Sequence, residues 1–453
     1  MRINPCIFKA YDIRGKYPTE LNEMAAEKIG HALAVYLSKK YRARGLEILV
    51  CRDLRISSAP LRAALAKGII STGCNVIDGG IGTTPFFYFL MHKIKPDGGV
   101  MITASHNPKE YNGFKLRGRG DIPILGGTGL EKIVALTQRT HVKSTAPKGS
   151  VLLCKDYRDD YVKFLGHGIT IPNRLRVVVD AAGGATSLFL PRLLSRFSNF
   201  IYKPLFFEPD GSFKRHLPNP FLPDAQVYAK EELKSDGFNF GVIFDGDGDR
   251  IVFLDEKGGF VHPDYIAALL AEEELKTKPG SWFVFTANTS KNAWEYIQER
   301  GGKIRISRVG YVFMQGAMKK TSALIGSEIS GHYCFKDFFN DDSALLAFLR
   351  LADLLSRTKR PLSQLIKAVE RYVTSEEMNF SVQDKGTVLK RVQDFYQDGK
   401  ISRLDGISVD FPDWWFNLRP SNTEPYIRLV MEAKTQEMYD EKMKELERII
   451  GKR

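Results

Sequence analysis

Asp245, Asp247 and Asp249 alternate with glycines directly after an apolar run that begins at Phe240. Three carboxylates this close together repel one another because they carry like charges. A hard divalent cation that collects their oxygens relieves the repulsion, and the glycines let the backbone wrap around the ion. The spacing therefore predicts a divalent-cation site, and Mg²⁺ suits three protein carboxylates that leave room for a phosphate oxygen.

This acidic loop has two alternative interpretations. A solvated acidic turn between two strands is the simpler one, although it does not account for the density of the pattern. An EF-hand would place a carboxylate at its twelfth position, which is Glu256 counted from Asp245. However, Arg250 occupies the sixth position, which needs glycine, and strands flank the loop. The EF-hand is therefore rejected.

A second polar loop follows the apolar run Val100–Thr103. Ser105 lies just past the end of this predicted strand. Ligands of α/β sheets gather at the carboxyl ends of strands, which makes Ser105 a candidate nucleophile or phosphorylation site. Taken alone, Ser-His-Asn-Pro is also an ordinary turn, since Asn-Pro favours turn initiation.

A third loop lies between two predicted strands near the C-terminus and is rich in groups that bind phosphate. Its arginine can bind phosphate through two parallel hydrogen bonds, and its hydroxyls and amide add further donors. A structural turn is the alternative. The candidate phosphate ligands are Arg419, Ser421, Asn422 and Thr423.

A fourth loop, Gly326–His332, follows another apolar run and combines a carboxylate, a hydroxyl and an imidazole. Glu328 and Ser330 could form hydrogen bonds with sugar hydroxyls. His332 is a ligand candidate and equally a structural histidine. The composition of one loop does not decide between these interpretations.

The length and composition are typical of a multidomain globular protein. The chain has 453 residues, of which 43% are hydrophobic and 26% charged. Because domains usually run about 100 to 200 residues, three or four domains are expected. No apolar stretch approaches the roughly 18 residues of a membrane helix, and the N-terminus lacks the apolar segment of a secretory signal. We therefore expect a cytoplasmic protein without a membrane partner.

The formal net charge of +13 at pH 7 predicts an affinity for anions. The basic residues are spread along the chain and form no nucleic-acid-binding motif, which favours small phosphorylated ligands over nucleic acid. The cysteines occur singly, which predicts neither a zinc site nor a disulfide framework. They are Cys6, Cys51, Cys74, Cys154 and Cys334.

Short apolar runs alternate with stretches of helical period over most of residues 1 to 370, a pattern that predicts α/β layering. The clearest runs are Ile48–Cys51, Val100–Thr103, Val177–Asp180 and Val242–Asp245. The remaining residues predict a small α+β domain with a helix over Lys385–Tyr396 and a closing amphipathic helix. Its strands are predicted near Met378–Val382, Ile401–Val409, Trp414–Leu418 and Tyr426–Glu432.

Taken in order, TASHNP at 103–108, DGDGDR at 245–250, GSEISGH at 326–332 and RPSNTEP at 419–425 resemble the four signature loops of the α-D-phosphohexomutase superfamily. The pattern is most similar to bacterial phosphomannomutase/phosphoglucomutase. Further similar segments are Lys9–Gly15, Pro209–Phe213, Pro218–Pro220 and Phe416–Pro420.

The resemblance implies three similar mixed α/β domains plus a smaller C-terminal α+β domain around a central cleft. Turn-rich stretches at Pro147–Ser150, Asp255–Gly259 and Arg357–Pro361 predict domain boundaries that agree with this order. The predicted domains are a phosphoserine domain (1–150), a metal-binding domain (151–255), a sugar-recognition domain (256–368) and a phosphate-binding domain (369–453). The resemblance also implies a phosphohexomutase that interconverts hexose 1-phosphate and hexose 6-phosphate of mannose or glucose. Hexose 1,6-bisphosphate is the implied intermediate and activator.

The resemblance also implies the role of each site residue. Ser105 would carry the phosphate, and Asp245, Asp247 and Asp249 would bind Mg²⁺ together with it. Lys115, Arg14 and Arg250 are the implied catalytic cations, with Lys115 and Arg14 handling protons or stabilising charge. The implied substrate-binding residues are Tyr11, Tyr311, Glu328, Ser330, His332, Arg419, Ser421, Asn422 and Thr423.

Several alternatives remain open at this point. Some members of the family that accept both sugars have a histidine where this chain has Tyr311, so the choice between mannose and glucose is open. A phosphoglucosamine mutase would typically have glutamine in place of Ile329. A synthase that releases hexose bisphosphate and a non-enzymatic anion-binding protein are the other candidates. The oligomeric state is not predicted.

Overall fold

The computed structural model of the protein describes residues 3–138, 147–235, 237–421 and 426–451. The chain divides into two compact units. Unit 1 comprises residues 1–260 and 343–359, and unit 2 comprises residues 261–342 and 360–453. Among the described residues, no helix is both long enough and apolar enough to cross a bilayer.

The first part of unit 1 is a mixed sheet, sheet A, covered by helices. Its strands run in the order β1-β5-β4-β2-β3-β7, with β6 paired to β5. Its elements are β1 (Ile13–Lys16), α1 (Glu23–Tyr41), β2 (Glu47–Arg52), α2 (Ser58–Ile70), β3 (Asn75–Ile81), α3 (Thr84–Ile94), β4 (Gly98–Ile102), β5 (Tyr111–Gly118), β6 (Ile122–Pro123), α4 (Leu130–Thr137) and β7 (Val151–Leu153).

The buried apolar runs of sheet A bring two polar loops together. Strands β2 and β4 are parallel and in register, with Arg52 opposite Ile102. Strand β4 is buried throughout, as expected for a strand covered on both faces. Because both strands end at the same edge of the sheet, Asp53 and Thr103 follow them side by side. The loop that carries Ser105 starts at this edge.

The second part of unit 1 is sheet B, whose strands run in the order β12-β11-β10-β8-β9. Strands β8, β9 and β10 are parallel, and β11 pairs antiparallel with β10 across the acidic loop. Its elements are α5 (Arg158–Leu165), β8 (Leu175–Asp180), α6 (Leu190–Leu194), β9 (Phe200–Leu205), α7 (Pro223–Leu233), β10 (Phe240–Phe244), β11 (Ile251–Leu254) and β12 (Phe260–Val261).

Residues 263 to 369 contribute sheet C to unit 2, in the strand order β14-β13-β15-β16-β17. The hairpin of β15 and β16 frames the loop with Glu328 and His332. The elements of this segment are α8 (Pro263–Thr277), β13 (Trp282–Thr286), α9 (Lys291–Glu299), β14 (Lys303–Ser307), α10 (Tyr311–Thr321), β15 (Ile325–Ser327), β16 (Tyr333–Phe335), β17 (Asp341–Asp342), α11 (Ala344–Thr358), which is part of unit 1, and α12 (Leu362–Val369).

The C-terminal residues of unit 2 form the antiparallel sheet D, in the order β18-β23-β22-β21-β20, with β19 paired to β23. Its elements are β18 (Val373–Thr374), β19 (Met378–Ser381), α13 (Lys385–Phe395), β20 (Lys400–Ser402), β21 (Ile407–Asp410), β22 (Trp414–Pro420), β23 (Tyr426–Ala433) and α14 (Gln436–Gly451). The small α+β domain is confirmed.

One predicted strand is wrong. The run Ile401–Val409 forms two antiparallel strands, β20 and β21, joined by a turn. Gly406 closes this turn at a φ of +66°, in the left-handed region that favours glycine. A Cβ at Gly406 would also lie 2.3 Å from the Leu418 carbonyl oxygen, so the turn packs directly against β22.

Helix α11 packs outside the sheet that its neighbours in sequence build. It belongs to unit 1, although the residues on either side of it belong to unit 2. Its Phe348 ring makes edge-on contacts with Phe200, Phe240 and Phe244 of the second part of unit 1, at centroid distances of 5.6, 6.1 and 5.8 Å. These aromatic contacts therefore fix α11 against sheet B.

Helices α1 and α2 approach each other through glycine. A Cβ at Gly68 would lie 1.9 Å from the Glu27 carbonyl oxygen, and one at Gly30 would lie 2.2 Å from that of Leu65. We expect Gly68→Ala to destabilise the protein by about 2 to 3 kcal/mol, because the two backbones must separate. Calorimetric melting of the purified variant measures the loss.

Gly316→Ala is the matched control. Gly316 lies inside α10, and no described heavy atom outside its own surroundings in the helix comes within 4 Å of a Cβ placed there. Alanine is expected to stabilise this helix by about 0.5 to 1 kcal/mol. Equal effects of the two substitutions would contradict the close packing of α1 and α2.

Candidate active site

Ser105 is held in a strained conformation that aims its hydroxyl at the acidic loop. Its φ is +49°, which is uncommon for a residue other than glycine, and only 2% of its surface is exposed. Its backbone N–H donates to Thr103 Oγ1 at 2.9 Å. Its Oγ donates to Asp245 Oδ2 at 2.8 Å and lies 3.3 Å from His106 Nδ1. The structure therefore joins two loops that are 140 residues apart in sequence.

The acidic loop is a tight turn at the carboxyl end of β10. Asp245 Oδ1 accepts hydrogen bonds from the backbone N–H groups of Gly248, at 2.8 Å, and Arg250, at 3.3 Å. Gly248 has a φ of +72°, and a Cβ there would lie 2.9 Å from the Thr83 methyl carbon. Glycine is therefore required at this position by its conformation and by the close approach of α3.

The carboxylates of this loop converge. Asp245, Asp247 and Asp249 are each at most 2% exposed, and each offers an oxygen within 4.8 Å of the others. Burial raises the pKa of Asp245 well above its ordinary value, and the neighbouring Asp249 and Asp247 carboxylates raise it further. The cluster consequently favours any cation that neutralises it.

Lys115 provides part of that positive charge. Its Nζ donates to Asp249 Oδ2 at 2.5 Å and to Asp247 Oδ2 at 3.2 Å. Strand β5 positions Lys115 because it pairs with β4, where Met101 lies opposite Lys115. The lysine that the sequence assigned to the site therefore lies at the acidic loop.

Asp247 supports the assignment of a metal site. Its Oδ2 accepts hydrogen bonds from Thr84 Oγ1 at 2.5 Å and Thr103 Oγ1 at 3.1 Å, in addition to Lys115. Its Oδ1 is buried, and no donor among the described residues hydrogen bonds to it. A buried carboxylate oxygen without a donor beside two further carboxylates is the environment that a hard divalent cation requires. The residues present therefore fit Mg²⁺.

Two further predicted catalytic cations, Arg14 and Arg250, also lie near Ser105. Arg14 donates from Nη1 to Asn107 Oδ1 at 2.6 Å and from Nη2 to Asp12 Oδ2 at 2.5 Å. Arg250 Nε lies 3.9 Å from Asp249 Oδ1. Tyr11 is half-buried in the turn that the hydrogen bond from Lys9 N–H to the Asp12 carbonyl closes.

In unit 2, the predicted sugar-binding residues form one hydrogen-bonded group. Glu328 is 5% exposed, and its Oε1 accepts the backbone N–H of Gly310 at 2.8 Å. His332 Nδ1 lies 3.2 Å from Glu328 Oε2 and 2.9 Å from Ser330 Oγ. Tyr311 follows Gly310 as the first residue of α10. The structure therefore brings the start of α10 to the Glu328 loop.

The predicted phosphate loop lies between β22 and β23. Arg419 is 8% exposed and donates from Nη2 to Glu377 Oε1 at 2.7 Å. Glu377 Oε1 also accepts from Asn288 Nδ2 at 3.1 Å, and its Oε2 accepts from Arg428 Nη1 at 3.2 Å. Ser421 is buried, and its N–H donates to the Tyr426 carbonyl at 2.8 Å. Asn422 and Thr423 lie outside the described residues.

Sequence reasoning missed Thr84, which binds Asp247, and Glu377, which binds Arg419. A signal for Thr84 exists, because Thr-Thr-Pro after β3 is typical of a helix start, and Thr83 caps α3 by accepting the N–H of Phe86. The sequence around Glu377 contains no comparable signal. Its role depends on the pairing of β19 with β23, which places it near Arg428.

Comparison with known proteins assigns four segments, which together cover most of the chain, to one family. Residues 6–144, 159–259 and 262–372 match the models of α/β/α domains I, II and III of phosphoglucomutase/phosphomannomutase. Residues 377–449 match the model of its C-terminal domain. The predicted order of three α/β domains followed by a C-terminal domain is thereby confirmed. The domain limits proposed from the sequence stay predictions.

Individual relatives agree with the domain models. A protein described as phosphohexose mutases from Xanthomonas campestris pv. campestris is 37% identical over 94% of this chain and 95% of its own length. The phosphomannomutase of Vibrio cholerae serotype O1 is 36% identical over 98% of both chains. The crystal structure of a phosphoglucomutase/phosphomannomutase family protein from Burkholderia thailandensis superimposes with a TM-score of 0.88, at 30% identity, over 99% of this chain and 97% of that one.

The fold and the site thus define a phosphotransferase of the mutase type. The chain belongs to the phosphoglucomutase/phosphomannomutase family within the phosphohexomutase superfamily, and it is a phosphohexomutase. The superfamily and the class of enzyme predicted from the four loops are confirmed.

Asp247 Oδ1, which accepts no hydrogen bond from the described residues, suggests a test of the metal site. We expect Asp247→Asn to weaken Mg²⁺ binding about tenfold or more, because one of the converging negative charges is lost. Isothermal titration calorimetry with MgCl₂ measures the affinity. Asp255→Asn is the matched control, since Asp255 caps a nearby turn by accepting the N–H groups of Lys257 and Gly259. Equal Mg²⁺ affinity in both variants would place the ion elsewhere.

Proposed function

We propose that the protein interconverts the 1-phosphate and 6-phosphate of mannose or glucose, with Ser105 as a phosphoserine and hexose 1,6-bisphosphate as the intermediate. The observation that carries this proposal is the hydrogen bond from Ser105 Oγ to Asp245, next to Lys115 and the other carboxylates. A phosphate on this oxygen would adjoin both the predicted metal ligands and a lysine ammonium.

The proposed reaction begins with phosphate on Ser105. The free hydroxyl oxygen of the sugar phosphate attacks this phosphorus, the bond from phosphorus to Ser105 Oγ breaks, and a general base takes the hydroxyl proton. The resulting hexose 1,6-bisphosphate turns end for end. Ser105 Oγ then attacks the other phosphorus, the bond from that phosphorus to the sugar oxygen breaks, and a proton passes to the sugar oxygen, which releases the isomeric monophosphate and restores the phosphoserine.

Phosphoryl transfer depends mainly on alignment and on charge neutralisation. Asp245, Asp247 and Asp249 are the residues that would hold Mg²⁺, which supplies a positive charge at the phosphate oxygens when bound. Lys115 and Arg14 are proposed to stabilise charge or handle the proton, and Arg250 contributes a further cation. Hexose 1,6-bisphosphate is proposed as the activator that phosphorylates Ser105.

Unit 2 is proposed to recognise the rest of the substrate. Glu328 and Ser330 would accept or donate hydrogen bonds to sugar hydroxyls, and His332 would orient both side chains through its Nδ1. Tyr311 and Tyr11 are the other proposed contacts to the sugar phosphate. Arg419, Ser421, Asn422 and Thr423 would hold the phosphate that does not react.

The names of the relatives support hexose phosphates as substrates and mannose as the first sugar to test. Ile329 favours these sugars over glucosamine, as expected from the sequence. The relatives are named as mutases and do not favour the alternative of a synthase that releases hexose 1,6-bisphosphate. The cytoplasmic location expected from the sequence stays a prediction.

The decisive test concerns Ser105. We expect intact-mass and peptide analysis to find one phosphate on Ser105 after incubation with glucose 1,6-bisphosphate. Dephosphorylated protein should show a lag in mutase activity that the bisphosphate removes. Ser105→Ala should lose nearly all turnover of mannose 1-phosphate, glucose 1-phosphate and glucosamine 1-phosphate, because the phosphoryl donor is gone.

Ser71→Ala is a suitable control, since Ser71 forms hydrogen bonds to His31 and the Gly68 carbonyl on α2, away from the acidic loop. It should turn over at the wild-type rate. Full activity of Ser105→Ala without phosphate on the protein would eliminate the proposed mechanism. Accumulation of free bisphosphate as the final product would favour the synthase.

The phosphate loop gives a separate test. Arg419→Ala should raise KM about 10- to 100-fold for hexose 1-phosphate and hexose 6-phosphate alike, since a charge-assisted hydrogen bond contributes about 1.5 to 3 kcal/mol. Steady-state kinetics in both directions measures this. Arg403→Ala is the control, because Arg403 is exposed and its Nε donates to Gln393. A penalty confined to one isomer would contradict a loop that serves both orientations.

A further inference from the structure

Arg55 lies just after β2 and binds the backbone of the Ser105 loop. Its side chain is fully buried. Its Nη2 donates to the carbonyl oxygens of Ser105 at 2.7 Å and Asn107 at 2.6 Å. Its Nη1 donates to those of Pro108 at 2.7 Å and Tyr111 at 3.1 Å. One guanidinium therefore donates to four carbonyl oxygens between Ser105 and Tyr111, the first residue of β5.

These contacts bear directly on the conformation of Ser105. A left-handed conformation is unfavourable for a residue other than glycine and persists only where its surroundings enforce it. The guanidinium directs its N–H groups from a rigid plane, so it fixes the positions of several carbonyls at once. Because Arg55 binds the Ser105 carbonyl itself, it restrains the peptide that aims Oγ at Asp245.

Asp53 holds Arg55 in place. Asp53 Oδ1 accepts the backbone N–H of Arg55 at 3.0 Å and the hydroxyl of Ser58 at 2.6 Å, and Asp53 Oδ2 lies 3.2 Å from Arg55 Nε. Burial raises the pKa of Asp53, while the charge of Arg55 and the Ser58 hydroxyl oppose this rise. The pair therefore keeps the guanidinium charge compensated inside the domain.

Phe213 connects the same arginine to the acidic loop. Its ring centroid lies 5.1 Å from the Arg55 guanidinium carbon. A Cβ at Gly246 would lie 3.1 Å from Phe213 Cζ and 2.9 Å from the Ser105 carbonyl oxygen. A Cβ at Gly211 would lie 1.7 Å from the Leu54 carbonyl oxygen, so the segment of Phe213 packs tightly against the backbone next to Arg55.

We propose that Arg55, covered by Phe213, is a positioning residue that sets the Ser105 hydroxyl against the Asp245–Asp249 loop for phosphoryl transfer. This inference rests on the proposed function of Ser105. It assigns a role to the segment Pro209–Phe213, which resembles the family but has no part in the chemistry described above. Arg55 acts through the loop backbone, because its side chain donates to loop carbonyls and pairs with Asp53.

The test separates positioning from stability by comparing Arg55→Lys with Arg117→Lys. Arg117 is also a fully buried arginine of sheet A, it stacks on Tyr88 at 4.5 Å, and it donates to the Asp121 carbonyl. A lysine cannot reach four carbonyls in a plane, so we expect Arg55→Lys to lower kcat about 100-fold with KM changed less than threefold. Arg117→Lys should lower the melting temperature similarly and leave kcat within threefold of wild type.

A chemical rescue adds a test of the guanidinium group itself. Guanidinium ion at millimolar concentration should restore kcat of Arg55→Ala at least tenfold, whereas methylammonium should not. Phe213→Leu keeps the guanidinium and removes the ring that covers it, so it should lower kcat about tenfold in a folded protein. It serves as the test variant if Arg55→Ala does not fold.

Failure of this inference differs from failure of the proposed function. If wild-type protein lacks mutase activity or phosphate on Ser105, the function is wrong. If wild type is active and phosphorylated while Arg55→Lys has the kcat of Arg117→Lys, the positioning role is wrong. An unchanged kcat in Phe213→Leu would also overturn it.

Discussion

The repulsion among three buried carboxylates is the constraint around which unit 1 is organised. Asp245, Asp247 and Asp249 converge with almost no exposure to solvent, and a cluster of this kind requires compensation from donors and cations. Lys115 and the hydroxyls of Thr84 and Thr103 supply part of it on Asp247, and the hydroxyl of Ser105 supplies part on Asp245. A phosphate on Ser105 would add more negative charge at the same place. A divalent cation held by these carboxylates would neutralise their charge together with that of the proposed phosphoserine.

Strand ends and close backbone contacts, more than long side chains, create this convergence. Asp53 and Thr103 lie side by side because they follow the neighbouring strands β2 and β4, and the acidic loop follows β10 of sheet B. The two sheets meet where a Cβ at Gly246 or Gly248 would contact Ser105, Phe213 or Thr83. Glycines in the acidic loop therefore serve two purposes, because they shape the turn and let the serine loop and α3 approach it. A larger residue at Gly246 or Gly248 would therefore move Ser105 away from the carboxylates.

The sequence predicted the residues whose chemistry is concentrated in short contiguous loops. Ser105, Lys115 and the aspartates lie together as expected, and the α/β strands at residues 48, 100, 177 and 242 occur in β2, β4, β8 and β10. Thr84 was missed because its bond to Asp247 spans 163 residues and depends on how two sheets meet. The hairpin at β20 and β21 was missed because its turn is set by the close approach of Gly406 to β22. The placement of α11 on sheet B follows from the Phe348 contacts, which no local pattern could reveal.

In unit 2 the buried charge that requires compensation is positive, whereas in unit 1 it is negative. Arg419 is largely buried, and an unpaired buried guanidinium is unfavourable. Glu377 compensates it and also binds Arg428, while Asn288 donates to the same carboxylate. The carboxylate thus pairs with two guanidinium groups, so that among these described side chains one negative charge compensates two positive charges. Because Glu377 already orients Arg419 Nη2, a phosphate bound as proposed through the remaining N–H groups would require little further ordering of the side chain. The carboxylate that compensates the buried Arg419 therefore also fixes the orientation that the proposed phosphate site needs.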